Sequence, residues 1–317
     1  MKSVYHASVP YAFAMTLGNR ALRPAALRCL FSIFRNFFFS QFCFALLPGR
    51  VPVSRGDHPL DRKIPFLPEW VDVYIDFVAY WLRMITFLSI NYGRRSHAAI
   101  FELLVSMGKL YEFAGQIYRK NLSTTDRPFY IARRRFFTIH LLDPHLMCIP
   151  SLHVMVVAFA HAKFEAALQS LGGEGRHSVQ LEETRQGAQA ICRAILFVKQ
   201  HSVNCIGASL YALTRFDAKL FPAEKAEAFC AALFTETPAA LQAGTDCLRA
   251  GGNRAECRSD LCRKCRLAVP ATPPPPPLAD EIRAHITASF RRFYAEGITA
   301  QKWDEPLLRF LRGLPRK

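Results

Sequence analysis

Three short segments of this sequence combine phosphate-binding and proton-handling groups. The first is Ile149-Pro150-Ser151-Leu152-His153, directly ahead of an apolar run from Val154 to Ala160. Proline fits the first turn of a helix, where its missing N–H would be unpaired in any case. The first-turn N–H groups and the positive end of the helix dipole then face outward, where an anion can sit. Ser151 adds a hydroxyl, and His153 can exchange a proton near neutral pH. The second segment runs from Lys120 to Pro128 and reads Lys-x6-Arg-Pro. Lysine supplies a point charge and Arg127 a planar fork, both suited to phosphate oxygens. The third is Lys199-Gln200-His201-Ser202-Val203-Asn204-Cys205, a second histidine beside a cation.

In these segments the chain resembles the type 2 phosphatidic acid phosphatase family and its haloperoxidase relatives. That family carries Lys-x6-Arg-Pro, then Pro-Ser-Gly-His, then Ser-Arg-x5-His-x3-Asp. The first motif is matched by Lys120, Arg127 and Pro128, and the second by Pro150, Ser151 and His153, with Leu152 at the glycine position. The third is matched only by His201; Ala194 and Ile195 stand at its Ser and Arg positions and Cys205 at its Asp position. Asp61-Arg62-Lys63-Ile64-Pro65-Phe66 also looks like bacterial members, and the resemblance covers roughly Pro59 to Leu213.

The resemblance implies a fold, a reaction and a set of roles. His201 would attack phosphorus and form a phosphohistidine. His153 would protonate the departing oxygen and then help water hydrolyse the intermediate. Lys120, Arg127 and Ser151 would hold the phosphoryl oxygens, with Lys199 or Arg193 in place of the missing Arg, and no metal or cofactor would be needed. Cys205 cannot replace the Asp as a charge, because an unperturbed thiol with a pKa of about 8.5 is mostly protonated at neutral pH. Asn204 could orient the His201 ring but carries no charge. Two functions follow: a membrane lipid phosphate phosphatase, or an impaired member that binds phosphorylated lipid or a protein partner without turnover. A soluble basic helical protein unrelated to the family is a third reading.

The elements that must position these groups can be read from composition and hydropathy. Of 317 residues 51% are hydrophobic, 26 are Phe, and 41 Lys+Arg against 25 Asp+Glu give a net charge of +16. Apolar aromatic segments between basic loops favour a membrane over nucleic acid, and no nucleic-acid-binding motif is present. The sequence predicts an all-α, six-helix membrane-embedded bundle over 25–216, after a lead-in over 1–24. Its spans would be Ala25–Pro48, Glu69–Tyr92, His97–Tyr118, Pro150–Leu168, Gln189–Lys199 and His201–Thr214. Between them, Arg50–Pro68, a basic re-entry loop Phe129–Met147, and Gly172–Gln186 would be loops. Six spans put both termini on one side and the three motif loops on the other. The expected location is therefore the cell membrane, multi-pass, with the site outside the cytoplasm. The oligomeric state is not encoded in any pattern here.

Residues 217–317 fall outside the resemblance. Cys247, Cys257, Cys262 and Cys265 in the 217–269 extension could bind metal as thiolates, though the paired C-x2-C spacing of zinc ribbons is absent. Residues 270–279 read as a stiff Pro-rich linker. Over 280–317 the pattern predicts a basic amphipathic helix capped by Asp280, with Ile282, Ile286, Phe290 and Phe293 on one face, lying on an anionic leaflet or packing on the bundle.

Overall fold

The apolar run after His153 becomes the central helix. The computed structural model describes residues 3–235 and 276–317, which are all-α apart from two three-residue strands. Before the central helix come α1 (Val9–Gly18), α2 (Arg23–Ile33), α3 (Ser40–Leu46), α4 (Pro59–Lys63), α5 (Val71–Tyr74), α6 (Phe77–Tyr92), α7 (His97–Tyr118) and α8 (Arg134–Leu142). The central helix is α9 (Leu152–Ser170), followed by α10 (Ser178–Phe197), α11 (Val203–Phe216), α12 (Ala223–Ala232), α13 (Pro276–Thr299) and α14 (Glu305–Gly313). Every residue from Val154 to Ala160 is buried. A helix apolar on all sides must be enclosed, and α9 packs against α6, α7, α10 and α11.

Helices α2 and α3 are joined by a π-helical turn, Phe34–Phe39, into one continuous helix. This stretch, Arg23–Leu46, and the stretch Pro68–Tyr118, which contains α5 to α7, are long and apolar enough to cross a membrane. Their settings differ. Phe31, Phe34, Phe39 and Leu46 on the first lie open, whereas most of the second is packed inside.

Several boundaries differ from the sequence reading. The expected lead-in contains α1, which packs on α6. The expected loop Gly172–Gln186 is largely helix, because α10 begins at Ser178. Its Glu, Gln and Arg residues are good helix formers on an exposed face, with an Arg185–Glu182 pair one turn apart. Gln180 and Thr184 are buried on the other face. The expected re-entry loop Phe129–Met147 holds α8.

The tail also differs. Helix α13 starts at Pro276, inside the expected 270–279 linker, because proline is tolerated in the first helical turn. Asp280 is therefore not its cap; it pairs with Arg283 one turn on. The 280–317 segment is two helices and not one, and its apolar face packs on the bundle. Ile282, Ile286, Phe290 and Phe293 are buried, and α13 runs along α11. A Cβ on Gly207 would lie 3.0 Å from the Ile286 carbonyl oxygen and the Phe290 nitrogen, so glycine there allows the close approach. Beyond α14 the chain pairs with β1 (Val53–Arg55): Arg55 N–H donates to the Pro315 carbonyl at 2.8 Å and Lys317 N–H to that of Val53 at 3.0 Å. β1 in turn pairs in parallel with β2 (Leu122–Thr124), Val53 opposite Leu122. Cys247, Cys257, Cys262 and Cys265 lie outside the described residues.

Candidate active site

Two of the three sequence motifs meet at the start of α9. Ser151 is the N-cap of that helix, with Pro150 just outside it and not in its first turn. The Ser151 N–H donates to Ser209 Oγ on α11 at 2.6 Å, which ties the start of α9 to the middle of α11. Its side chain makes no capping bond; Ser151 Oγ lies 3.5 Å from His201 Nε2. His201 precedes α11 by two residues, and its ring centroid is 5.2 Å from that of His153, edge to face. His153 stacks on Tyr74, centroids 4.3 Å apart, and leans on Phe77 at 4.2 Å. Both histidines are buried, and His201 Nδ1 has no hydrogen-bond partner among the described residues.

The two histidines line a cavity of about 20 Å³, shared with Phe37, Gln41, Asp143, His145, Met147, Cys148 and Leu152. Asp143 and His145 were not singled out by sequence reasoning. The signal was there: Asp143-Pro144-His145 puts two ionisable residues in an otherwise apolar approach to Pro150. His145 N–H donates to Asp143 Oδ1 at 2.8 Å, and His145 Nδ1 is 3.9 Å from Asp143 Oδ2. His145 Nε2 lies 2.9 Å from Thr125 Oγ1, and the Cys148 sulfur is 3.7 Å away. Burial lowers the His145 pKa, but Cys148 and Asp143 outweigh it and carry it up to about 9. Burial raises Asp143, but the bonds and charge of His145, with Arg127, hold it down at about 2. His201 is driven well below its ordinary value by burial, then by His153 and His145; Asp143 opposes this. Its imidazole is therefore neutral, with a lone pair free.

Arg127 joins this group. One guanidinium nitrogen donates to the Asp143 carbonyl at 3.0 Å and another to Gln200 Oε1 at 3.2 Å, with Asp143 Oδ2 at 3.8 Å. Lys120 does not join it. Lys120 Nζ pairs with Asp304, a buried carboxylate between α13 and α14. Lys199 is also turned away, donating to the carbonyls of Asp61 and Ile64. Its φ of +54° is the left-handed conformation that ends α10, where glycine is the usual residue. Lys199 and Arg127 do share a larger cleft of about 630 Å³ with Asp57, His58, Asp61 and Arg62.

The departures from the third motif have clear settings. Ala194 and Ile195 are buried in α10. Cys205 accepts the Ser202 N–H at 3.4 Å. Asn204 does not orient His201; its amide donates to the Gly56 carbonyl at 3.1 Å and its oxygen lies 2.9 Å from His285 Nε2. Arg193 sets its guanidinium over Trp70 at 5.8 Å. Asp61 takes a structural role: its carboxylate accepts the Val203 N–H at 2.9 Å and the His58 N–H at 2.7 Å, fixing the first turn of α11 next to His201. Among the described residues no group of His, Cys, Asp and Glu has the arrangement to hold a metal ion.

The fold and site thus define an all-α protein with a buried histidine pair at the junction of two helix starts, beside an Arg–Asp–His network. No family model, curated protein or solved structure matches this chain.

Proposed function

We propose that this chain is a membrane phosphohydrolase of the phosphatidic acid phosphatase type, acting on a phosphorylated lipid through a phosphohistidine. The observation that carries the reading is the juxtaposition of Ser151, His153 and His201, with Ser151 Oγ 3.5 Å from His201 Nε2 and the two rings 5.2 Å apart. Neutral His201 Nε2 attacks phosphorus and the P–O bond to the lipid breaks. His153 takes up the proton of the arriving phosphate monoanion and gives it to the leaving oxygen, then takes one from the water that cleaves the P–N bond. Ser151 and Arg127 hold the phosphoryl oxygens. The positive charge formed on His201 is offset by Asp143 across the cavity, a role Cys205 cannot fill. Preorganised charge of this kind is worth roughly 10²–10³ in turnover per group removed. The cavity admits only a water-sized group as it stands, so a phosphoryl group enters only as the cavity walls move apart.

The proposed setting is a six-span bundle of α2–α3, α6, α7, α9, α10 and α11 in the cell membrane. Lys120, Pro150 and His201 then fall at one face, which we assign to the extracytoplasmic side. A second reading, a family member that binds phosphorylated lipid or a protein partner without turnover, is favoured by two observations: Cys205 at the Asp position and Lys120 held by Asp304. Phosphate release from a panel of phosphorylated lipids by the detergent-purified chain separates them. Release that disappears in His201→Ala supports the hydrolase; lipid binding with no release from any substrate supports the second reading.

A further inference from the structure

The stretch from Asp143 to Met147 separates two cavities of opposite character. It bends at His145, where φ is +60°, and its Leu146–Cys148 end lies beside β2, with Ser123 N–H donating to the Leu146 carbonyl at 3.0 Å and Cys148 N–H to that of Ser123 at 3.2 Å. Its residues nevertheless divide between the two sides. Asp143, His145 and Met147 line the histidine cavity; Pro144 and Leu146 line a groove of about 530 Å³ behind it. The helix that flanks both repeats the division along its length. Phe37 and Gln41 face the histidine cavity and Phe44 faces the groove. Spacings of four and three residues put all three on one stripe.

The groove is apolar. Its walls include Phe44, Leu47, Val51, Val53, Leu122 and Leu146, and among the described residues the charged side chains on it are Arg316 and Lys317. Arg316 is anchored there by Ser54 Oγ at 3.2 Å and Asn121 Oδ1 at 3.1 Å. Leu46 and Leu47 lie exposed at its lip, at the end of the helix whose open face is rich in Phe. The volume falls in the range of small-molecule sites, about 300–1,000 Å³.

We propose that this groove holds an acyl chain of the phosphorylated lipid, with Arg316 and Lys317 at its rim facing the anionic headgroup region. The inference rests on the lipid reading above and adds where the tail lies. The occupant follows from an apolar lining, a purely cationic rim, and continuity along one helix stripe with the cavity that would take the phosphate. The tail and the phosphate occupy the two sides of the 143–147 stretch.

The test uses the full chain in nanodiscs, with phosphatidates of increasing chain length and a tail-diazirine phosphatidate as probe. Ala45 and Val51 are half to fully exposed wall residues, so Ala45→Trp and Val51→Trp fill the groove without overpacking the core. Leu30→Trp, on the open face of α2, is the control. In the parent, KM for phosphatidates presented as water-soluble monomers should fall by up to about fourfold per added methylene until the groove is full. In Ala45→Trp that dependence should flatten, with KM for long chains raised about tenfold or more, while Leu30→Trp keeps the parent's kcat and chain-length profile. The diazirine should label residues 44–53 in the parent and not in Ala45→Trp. Labelling there without turnover on any substrate upholds the groove and removes the hydrolase reading. Turnover with the same chain-length profile in parent and Ala45→Trp, or labelling confined to other segments, overturns the groove and leaves the hydrolase reading standing.

Discussion

Replacing Asp143 by asparagine removes a charge from the histidine cavity and little else. The amide oxygen can still accept the His145 N–H, now held at 2.8 Å, and Arg127 keeps the residue 143 carbonyl at 3.0 Å. What is lost is the attraction between the carboxylate and its two cationic neighbours. Burial alone would raise the Asp143 pKa, yet His145 and Arg127 bring it from 3.8 to about 2. A difference of about two units corresponds to roughly 2–3 kcal/mol of native stability. Burial lowers His145, and Cys148, then Asp143, carry it up to about 9; the Asp143 part is the same interaction seen from its partner and is not added. The depressed carboxylate contributes stability that is present above pH 3.8 and lost as pH falls through about 2. The raised imidazole contributes stability that is present below pH 6.5 and lost as pH rises through about 9. The pair therefore acts in full between about pH 4 and pH 6.5. At this chain length 1 kcal/mol is about 2 °C in Tm, so Asp143→Asn should unfold about 4 °C lower near pH 5. The gap should narrow above about pH 9, where the parent also loses the His145 charge. Tryptophan-emission melts of both proteins in detergent across that range measure it. Equal Tm near pH 5, or a gap that does not change with pH, would refute the ion pair and with it the role given to Asp143.

Four further substitutions separate the roles given to these residues. Gly207→Val puts a branched side chain where even a Cβ meets backbone atoms of α13 at 3.0 Å. It should cost about 3 kcal/mol and raise hydrogen exchange in α13, and an unchanged melt would mean the two helices do not dock this closely. Lys120→Ala should leave KM for a phosphorylated substrate unchanged and slightly weaken attachment of the tail, because Lys120 serves Asp304. Arg127→Ala should lower kcat/KM about 10²-fold, and similar losses in both variants would return Lys120 to the phosphate site. Cys205→Asp would set a second carboxylate at the start of α11, near Asp61, which already takes the Val203 N–H. It should lower Tm without raising turnover; a tenfold gain in turnover would show that His201 lacked a charged partner and that Asp143 does not supply one.

What was legible in the sequence was mostly local. Proline, serine and histidine ahead of an apolar run do mark a helix start, and Ser151 stands at the N-cap position of α9. The span His97–Tyr118 is α7 end to end, because its apolar period is unbroken. The meeting of Ser151, His153 and His201 follows from two helix starts lying side by side. What was not legible depends on partners far along the chain. Asp143 and His145 line the cavity beside a chain, Leu146 to Cys148, that pairs with Ser123 of β2, a contact that no local pattern announces. The fate of Lys120 is decided by Asp304, 184 residues away.

Lys-x6-Arg-Pro shows why spacing alone misassigned that lysine. On a helix, positions seven apart share a face two turns on, and both cations would reach one phosphate. Here Leu122–Thr124 between them is β2, where each residue advances about 3.3 Å. Seven such steps carry Lys120 and Arg127 up to about 20 Å apart along the chain. The two cations are thereby free to serve different partners: Arg127 reaches Asp143 and Gln200 beside the histidines, and Lys120 reaches the C-terminal segment. A motif written as residue types and a spacing specifies a common site only together with the conformation of the residues between, and a strand there divides what a helix would have joined.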